Sequence, residues 1–163
     1  MTTTVDARLV HKIRSGSTLG FGDTVAFIGL LNNLSECLPG ETPEFFSSAE
    51  IIVSRAPGRI DLMGGIADYS GSFVLPFPIA NATHVALQLQ KEPILRIASV
   101  PTDRNDRLRL FEMSLPEFLS SSRPIDYAAA HARFTHEPEH HWAAYVAGAF
   151  LVLMRERGCV FKQ

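Results

Sequence analysis

Residues 54–79 read S-R-A-P-G-R-I-D-L-M-G-G-I-A-D-Y-S-G-S-F-V-L-P-F-P-I. Just ahead of them Ile51, Ile52 and Val53 form a β-branched run that predicts a strand. That strand is expected to stop at Ala56-Pro57-Gly58, where proline removes a donor and glycine permits a tight turn, which leaves Arg59 at its mouth. Gly64, Gly65 and Gly71 follow, three positions without side chains where backbone or a ligand can approach closely. Phe73-Val74-Leu75-Pro76 then reads as a return strand. Two readings of the block stand on these residues alone: a turn with room for a small polar ligand beside Arg59, or a glycine-rich turn with a solvated arginine and an aspartate, Asp68, that caps it.

Working outward, the middle of the chain is predicted to be strands. Phe73 to Ile79, Thr83 to Gln90, Ile94 to Val100 and Arg107 to Met113 carry apolar or alternating patterns, with Leu108, Leu110 and Glu112 set against Arg107, Arg109 and Phe111. Towards the N-terminus, Val25, Ala26, Phe27, Ile28, Leu30, Leu31 and Leu34 suggest a helix that Pro39-Gly40 stops. Residues 1–48 resemble nothing further and are set apart as an unassigned extension ahead of a domain over 49–163. At the other end, residues 141–157 predict a helix closed by Gly158, with Trp142, Tyr145, Val146, Ala149, Phe150 and Leu153 as its core-facing stripe. Trp142 and Tyr145 are expected to pack on a sheet. Ser120-Ser121-Ser122 is expected to end a short helix begun near Pro116 rather than to cradle phosphate, since it lacks glycines that would bare backbone N–H groups.

Composition excludes several classes. A chain of 163 residues that is 46% hydrophobic can bury a core, and its length matches one domain. A net charge of −2, with basic residues scattered, gives no reason to expect nucleic acid or an anionic membrane as a partner. The longest apolar stretch, Val25 to Leu34, is interrupted by Gly29, Asn32 and Asn33 and is too short to span a bilayer. Cys37 and Cys159 lie far apart without a pairing pattern and fit a reducing, cytoplasmic setting. His131, His136, His140 and His141 around Glu137 and Glu139 invite a metal reading, yet the segment has no recognised ligand spacing, so no metal site is expected.

The spacing of Pro57, Gly58, Arg59, Gly64, Asp68, Tyr69, Gly71 and Phe73-Val74-Leu75-Pro76 resembles the first signature of the GHMP small-molecule kinases, in the version carried by sugar 1-kinases of the galactokinase and L-arabinokinase type. Trp142-x-x-Tyr145-Val146-x-Gly148 resembles a galactokinase helix as well. The resemblance implies an α+β domain like ribosomal protein S5 domain 2, a mixed sheet with helices on one face. It implies transfer of the γ-phosphoryl group of ATP, with Mg2+, to the anomeric hydroxyl of L-arabinose or D-galactose. It implies that Arg59 takes the catalytic role beside the attacking hydroxyl. Asp61, Gly64, Gly65, Asp68 and Tyr69 join it in contacting sugar, with Tyr69 more a packing than a chemical residue.

Two departures refine this expectation. Galactokinases carry a Glu-His pair where this chain has Gly65-Ile66, and Asn where it has Asp61. The pair is implied to serve the hydroxymethyl end of galactose. L-arabinose has the same hydroxyl pattern without that group, and a site that kept the pair would leave buried polar groups unmatched. The family's phosphate loop, P-x-x-x-G-L-x-S-S-A, does not occur in the 163 residues. The chain is therefore expected to be an N-terminal fragment or a truncated product that binds no ATP itself, the alternative being an inactive sugar-binding or regulatory remnant.

Overall fold

A computed structural model of the chain describes residues 11–18, 20–38, 45–101 and 107–161. Helices and strands both contribute, so the α+β class holds at this level. Two compact units part between Gln88 and Leu89.

In the first unit, helix α1 (Gly22–Asn32) is followed by the single turn α2 (Leu34–Cys37) and then by a long antiparallel hairpin, β1 (Ile52–Met63) and β2 (Leu75–Leu87). The Pro39-Gly40 stop signal lies outside the described residues. Contrary to expectation, β1 does not end at Ala56-Pro57-Gly58: it runs through them, and Arg59 pairs with Pro78 in mid-ladder. The register shifts there, with Gly58 facing Ile79, Ala80 and Asn81, and a bulge of this kind absorbs the donor that proline lacks. Gly58 fits closely there: a Cβ on it would lie 3.0 Å from the Ile79 side chain and 3.3 Å from the Asn81 carbonyl oxygen, so a larger residue would have to displace Ile79. The two strands predicted over Phe73–Ile79 and Thr83–Gln90 are one strand, β2, and Phe73 stands outside it.

Directly opposed residues of an antiparallel pair share a face. Val53 with Ala86 and Arg55 with His84 form a half-buried face. Phe27 of α1 stacks on His84, with ring centroids 5.0 Å apart. On the opposite face Ile52 and Leu87, and Val85 beside them, stay exposed.

The second unit begins with a hairpin of β3 (Ile94–Ser99) and β4 (Arg109–Ser114), near the predicted strands. Of the two alternating sets in β4, the one with Phe111 and Met113 turns inward and Leu110 with Glu112 outward. A short 3-10 turn, Leu115–Phe118, is tied by the Ser114 N–H donating to Glu117 Oε1 at 2.7 Å. The serine run does not continue it as a helix end. Ser121 and Ser122 have φ of 49° and 64° and form the two-residue loop between β5 (Leu119–Ser120) and β6 (Arg123–Pro124), the positive-φ pair that a tight hairpin with right-handed strand twist demands.

Helices α3 (Tyr127–His136) and α4 (Ala144–Arg157) complete the unit. Asp126 caps α3 by accepting from the Ala129 N–H at 2.7 Å. Gly158, at φ 64°, closes α4 as predicted, and the Cys159 N–H reaches back to the Leu153 carbonyl. The core joins Ile97, Met113, Phe118, Ala130, Phe134, Ala143, Ala147, Leu151 and Met154. This corrects the predicted stripe of α4. Tyr145 is 90% exposed instead of packed, while Trp142 and Phe150 do lie against the core. Nearly every position from Ala144 to Met154 is apolar, so periodicity could not select the face; the small Ala143 and Ala147 let the backbone approach and so define it.

The described strands therefore pair in three separate antiparallel ladders of two, not in the single mixed sheet that the resemblance implied.

Candidate functional site

The signature residues lie on the β1–β2 hairpin and its connection. Arg59 and Asp61 are two apart on β1, so their side chains leave the same face, and Arg59 Nε meets Asp61 Oδ1 at 3.1 Å. Both remain accessible, at 63% and 36% exposure. An exposed pair of this kind contributes only about 0–1 kcal/mol, so it orients the two groups without withdrawing either from a ligand.

Gly64 turns the chain out of β1 at φ 75°, a conformation in which any other residue is strained, and a Cβ there would lie 3.0 Å from the Phe73 carbonyl oxygen. Residues Gly65–Ser70 then wind into a 3-10 helix, with the Ala67 N–H donating to the Gly64 carbonyl at 2.8 Å. A Cβ on Gly65 would sit 3.0 Å from Asp61 Oδ2. Arg59, Asp61 and Gly65 thus meet at one corner, where guanidinium donors and a carboxylate acceptor flank a stretch of bare backbone. The Ser70 hydroxyl donates to the Ala67 carbonyl at 2.7 Å and holds the end of the turn.

The remaining predicted residues separate. Tyr69 is 96% exposed, in contrast to the packing role expected for it. Asp68 falls within the 3-10 helix, and its side chain lies outside the described residues. Trp142 belongs to the second unit.

Sequence reading missed a second polar group in the first unit. Arg55 Nε and Nη2 lie 3.0 and 2.9 Å from Asp23 Oδ2, and the same Nη2 donates to the Ala80 carbonyl at 2.6 Å. The guanidinium also covers the Phe21 ring at 4.8 Å. The Arg55 hydrogen bond holds the Asp23 carboxyl below the ordinary aspartate range, against a smaller opposing effect of desolvation. Beside it, Thr24 Oγ1 and His84 Nε2 are 3.0 Å apart. No spacing rule links residues 23, 55 and 80; only the inward parity of Arg55, two positions past Val53, hinted that it faces a partner.

Among the described histidines and acids of the second unit, Glu137, Glu139 and His140 bring one ligand atom each within 4.8 Å of the others. His140 Nδ1 is 2.6 Å from Glu137 Oε2 and its ring meets Phe111 edge-on, a polar contact and ring packing that hold the cluster together.

Residues 43–89 match the family described as the galactokinase galactose-binding signature. The chain is thus galactokinase-like in the segment that forms the hairpin and its corner. It is 44% identical to an L-arabinokinase of Arabidopsis thaliana over 134 residues, 69% of this chain and 13% of that protein. A galactokinase of Chloroflexus aurantiacus is 33% identical over 67 residues, 41% of this chain and 17% of its own. One from Actinobacillus pleuropneumoniae is 28% identical over 118 residues, 72% and 24% respectively. The chain therefore spans only a small part of each of these relatives. No solved structure gives a significant match.

Proposed function

We propose that the chain is the sugar-recognition part of an ATP-dependent sugar 1-kinase whose substrate is L-arabinose or, less well, D-galactose. The observation that carries this reading is the corner at Arg59, Asp61 and Gly65, lying within a stretch that matches a galactose-binding signature. Arg59 would stand beside the anomeric hydroxyl and stabilise charge that develops during transfer. Asp61 and Asp68 would accept hydrogen bonds from ring hydroxyls, while Gly64 and Gly65 leave room for the ring. ATP and Mg2+ belong to the reaction through the kinases this chain is similar to, and the 163 residues hold no phosphate loop for them. The complete domain would take the ribosomal protein S5 domain 2 architecture in the cytoplasm; an inactive sugar-binding or regulatory remnant is the second reading.

Titration of the 163-residue chain with either sugar, followed by the NMR signals of Arg59 and Gly64 to Tyr69, tests the proposal alongside a radiolabelled-ATP assay. Saturable shifts are expected, with affinity for L-arabinose exceeding that for D-galactose by roughly 1 to 3 kcal/mol if the hydroxymethyl group is left unmatched, and ATP turnover at background. Absence of a response to both sugars, or preference for galactose, overturns it.

A further inference from the structure

The site's arginine is followed along the strand by its aspartate, but what fixes the strand at that point comes from elsewhere. Directly before Arg59 the ladder is irregular, with Gly58 alone facing Ile79, Ala80 and Asn81. Such a bulge has more conformational freedom than regular ladder, because its extra residues lack cross-strand partners. Two contacts remove that freedom. Ile79 and the Asn81 carbonyl seat closely against Gly58, at distances where a Cβ would have to displace Ile79. The middle residue of the bulge is held from the other side, by Arg55 Nη2 on the Ala80 carbonyl. Arg55 in turn is held by Asp23, two residues into α1, and by the Phe21 ring. The side chain is 18% exposed, so these charge-assisted bonds are only partly screened.

We propose that Arg55 is a positioning residue for the sugar site: it links Asp23 of helix α1 to the β2 bulge that seats Gly58 and thereby sets the backbone from which Arg59 projects. The N-terminal stretch that sequence left unassigned is then a working part of the site. A planar guanidinium suits this link because it can give two donors to a carboxylate and direct one of them to a carbonyl at a fixed angle, which a lysine ammonium cannot match. The inference rests on the sugar-site reading for its functional meaning, while its structural content stands without ligand.

The test uses the 163-residue chain with Asp23→Asn, Arg55→Lys and the conservative Asp23→Glu. Without sugar, the Arg59 Nε–H signal and the Gly58 and Asn81 amide signals should shift in the first two variants and return towards wild type in the third. Signals of Leu95 to Ile97 in the other unit should stay in place. With L-arabinose, the Kd read from Arg59 should rise about three- to tenfold in the first two variants, the size expected for misplacing a binding group without removing it. If Asp23→Asn lowers thermal stability while the Arg59, Gly58 and Asn81 signals keep their wild-type positions, the link is merely structural and the proposal falls. Should wild type show no response to either sugar, the sugar reading falls instead, and the ligand-free signals alone uphold or overturn the link.

Discussion

The β1–β2 hairpin is the longer of the two main ladders, yet Ile60 and Phe77, a cross-strand pair, are 52% and 58% exposed, whereas the shorter β3–β4 hairpin buries Ile97 and Met113. The residues with chemistry sit on the first. This unit keeps its shape by backbone pairing, glycine corners and the Asp23–Arg55–Ala80 link, with Leu31, Leu34 and Phe46 as its buried apolar residues among those described. The second unit keeps its shape by interdigitated side chains around Phe118, Phe134 and Leu151. The difference shows that cohesion by packed side chains is concentrated in the second unit, while the residues proposed for recognition lie in the first.

The sharpest way to break that comparison is a matched pair of truncations. Phe118→Ala removes a fully buried ring that packs at 6.4 Å from Phe134, and should cost about 3–5 kcal/mol in urea unfolding followed by Trp142 fluorescence. Ile60→Ala, on the open face, should cost under about 1 kcal/mol by circular dichroism, since little transfer free energy is lost from a side chain already in water. Equal costs would mean that the open face of the hairpin is covered in solution.

A smaller effect is expected at the corner. Gly64→Ala forces a Cβ into positive φ and against the Phe73 carbonyl, at a cost of about 1–3 kcal/mol to the first unit, seen as a lowered unfolding midpoint of the Arg59 and Ala67 amide signals. Gly71→Ala shares the positive φ but meets no neighbour within 4 Å, so it should cost less. The reverse order would sink the close-approach argument.

The smallest effect is in pH, and it has opposite signs in the two units. Asp23 is held below its ordinary 3.8 by Arg55, so the stabilisation it gives is full above that value and is lost as pH falls through the lower folded-state value. Tyr127 is held above its ordinary 10.0, chiefly by donating its hydroxyl hydrogen to Glu156 at 2.6 Å. Its stabilisation is present below pH 10.0 and is lost as pH rises through the higher folded-state value. Unfolding midpoints measured against pH, with His84 signals for the first unit and Trp142 fluorescence for the second, should lose their acid limb in Asp23→Asn and their alkaline limb in Tyr127→Phe. An unchanged profile in either variant removes that residue from the account.

Local punctuation was legible in advance. Gly158 as a helix stop, Gly64 as a position of close approach, and the β3 and β4 strands follow from backbone preferences and alternation that act over a few residues. Errors arose wherever a local signal had a distant answer. Proline at 57 reads as a strand end, but the bulge opposite Gly58 accepts it. The serine run reads as a helix end, but pairing of Leu119 with Pro124 draws it into a hairpin.

By itself the sequence determined the kinship of residues 43–89, the identities of Arg59, Asp61 and Asp68, and the places where only glycine serves, because each is a matter of side-chain chemistry or a single φ. Tertiary structure decided which face of α4 is buried, that Asp61 pairs with Arg59 and abuts Gly65, and that a helix more than thirty residues upstream reaches the bulge through Arg55. Those outcomes depend on which apolar surfaces find each other and on where the chain returns in space, and neither is encoded in the spacing of neighbouring residues.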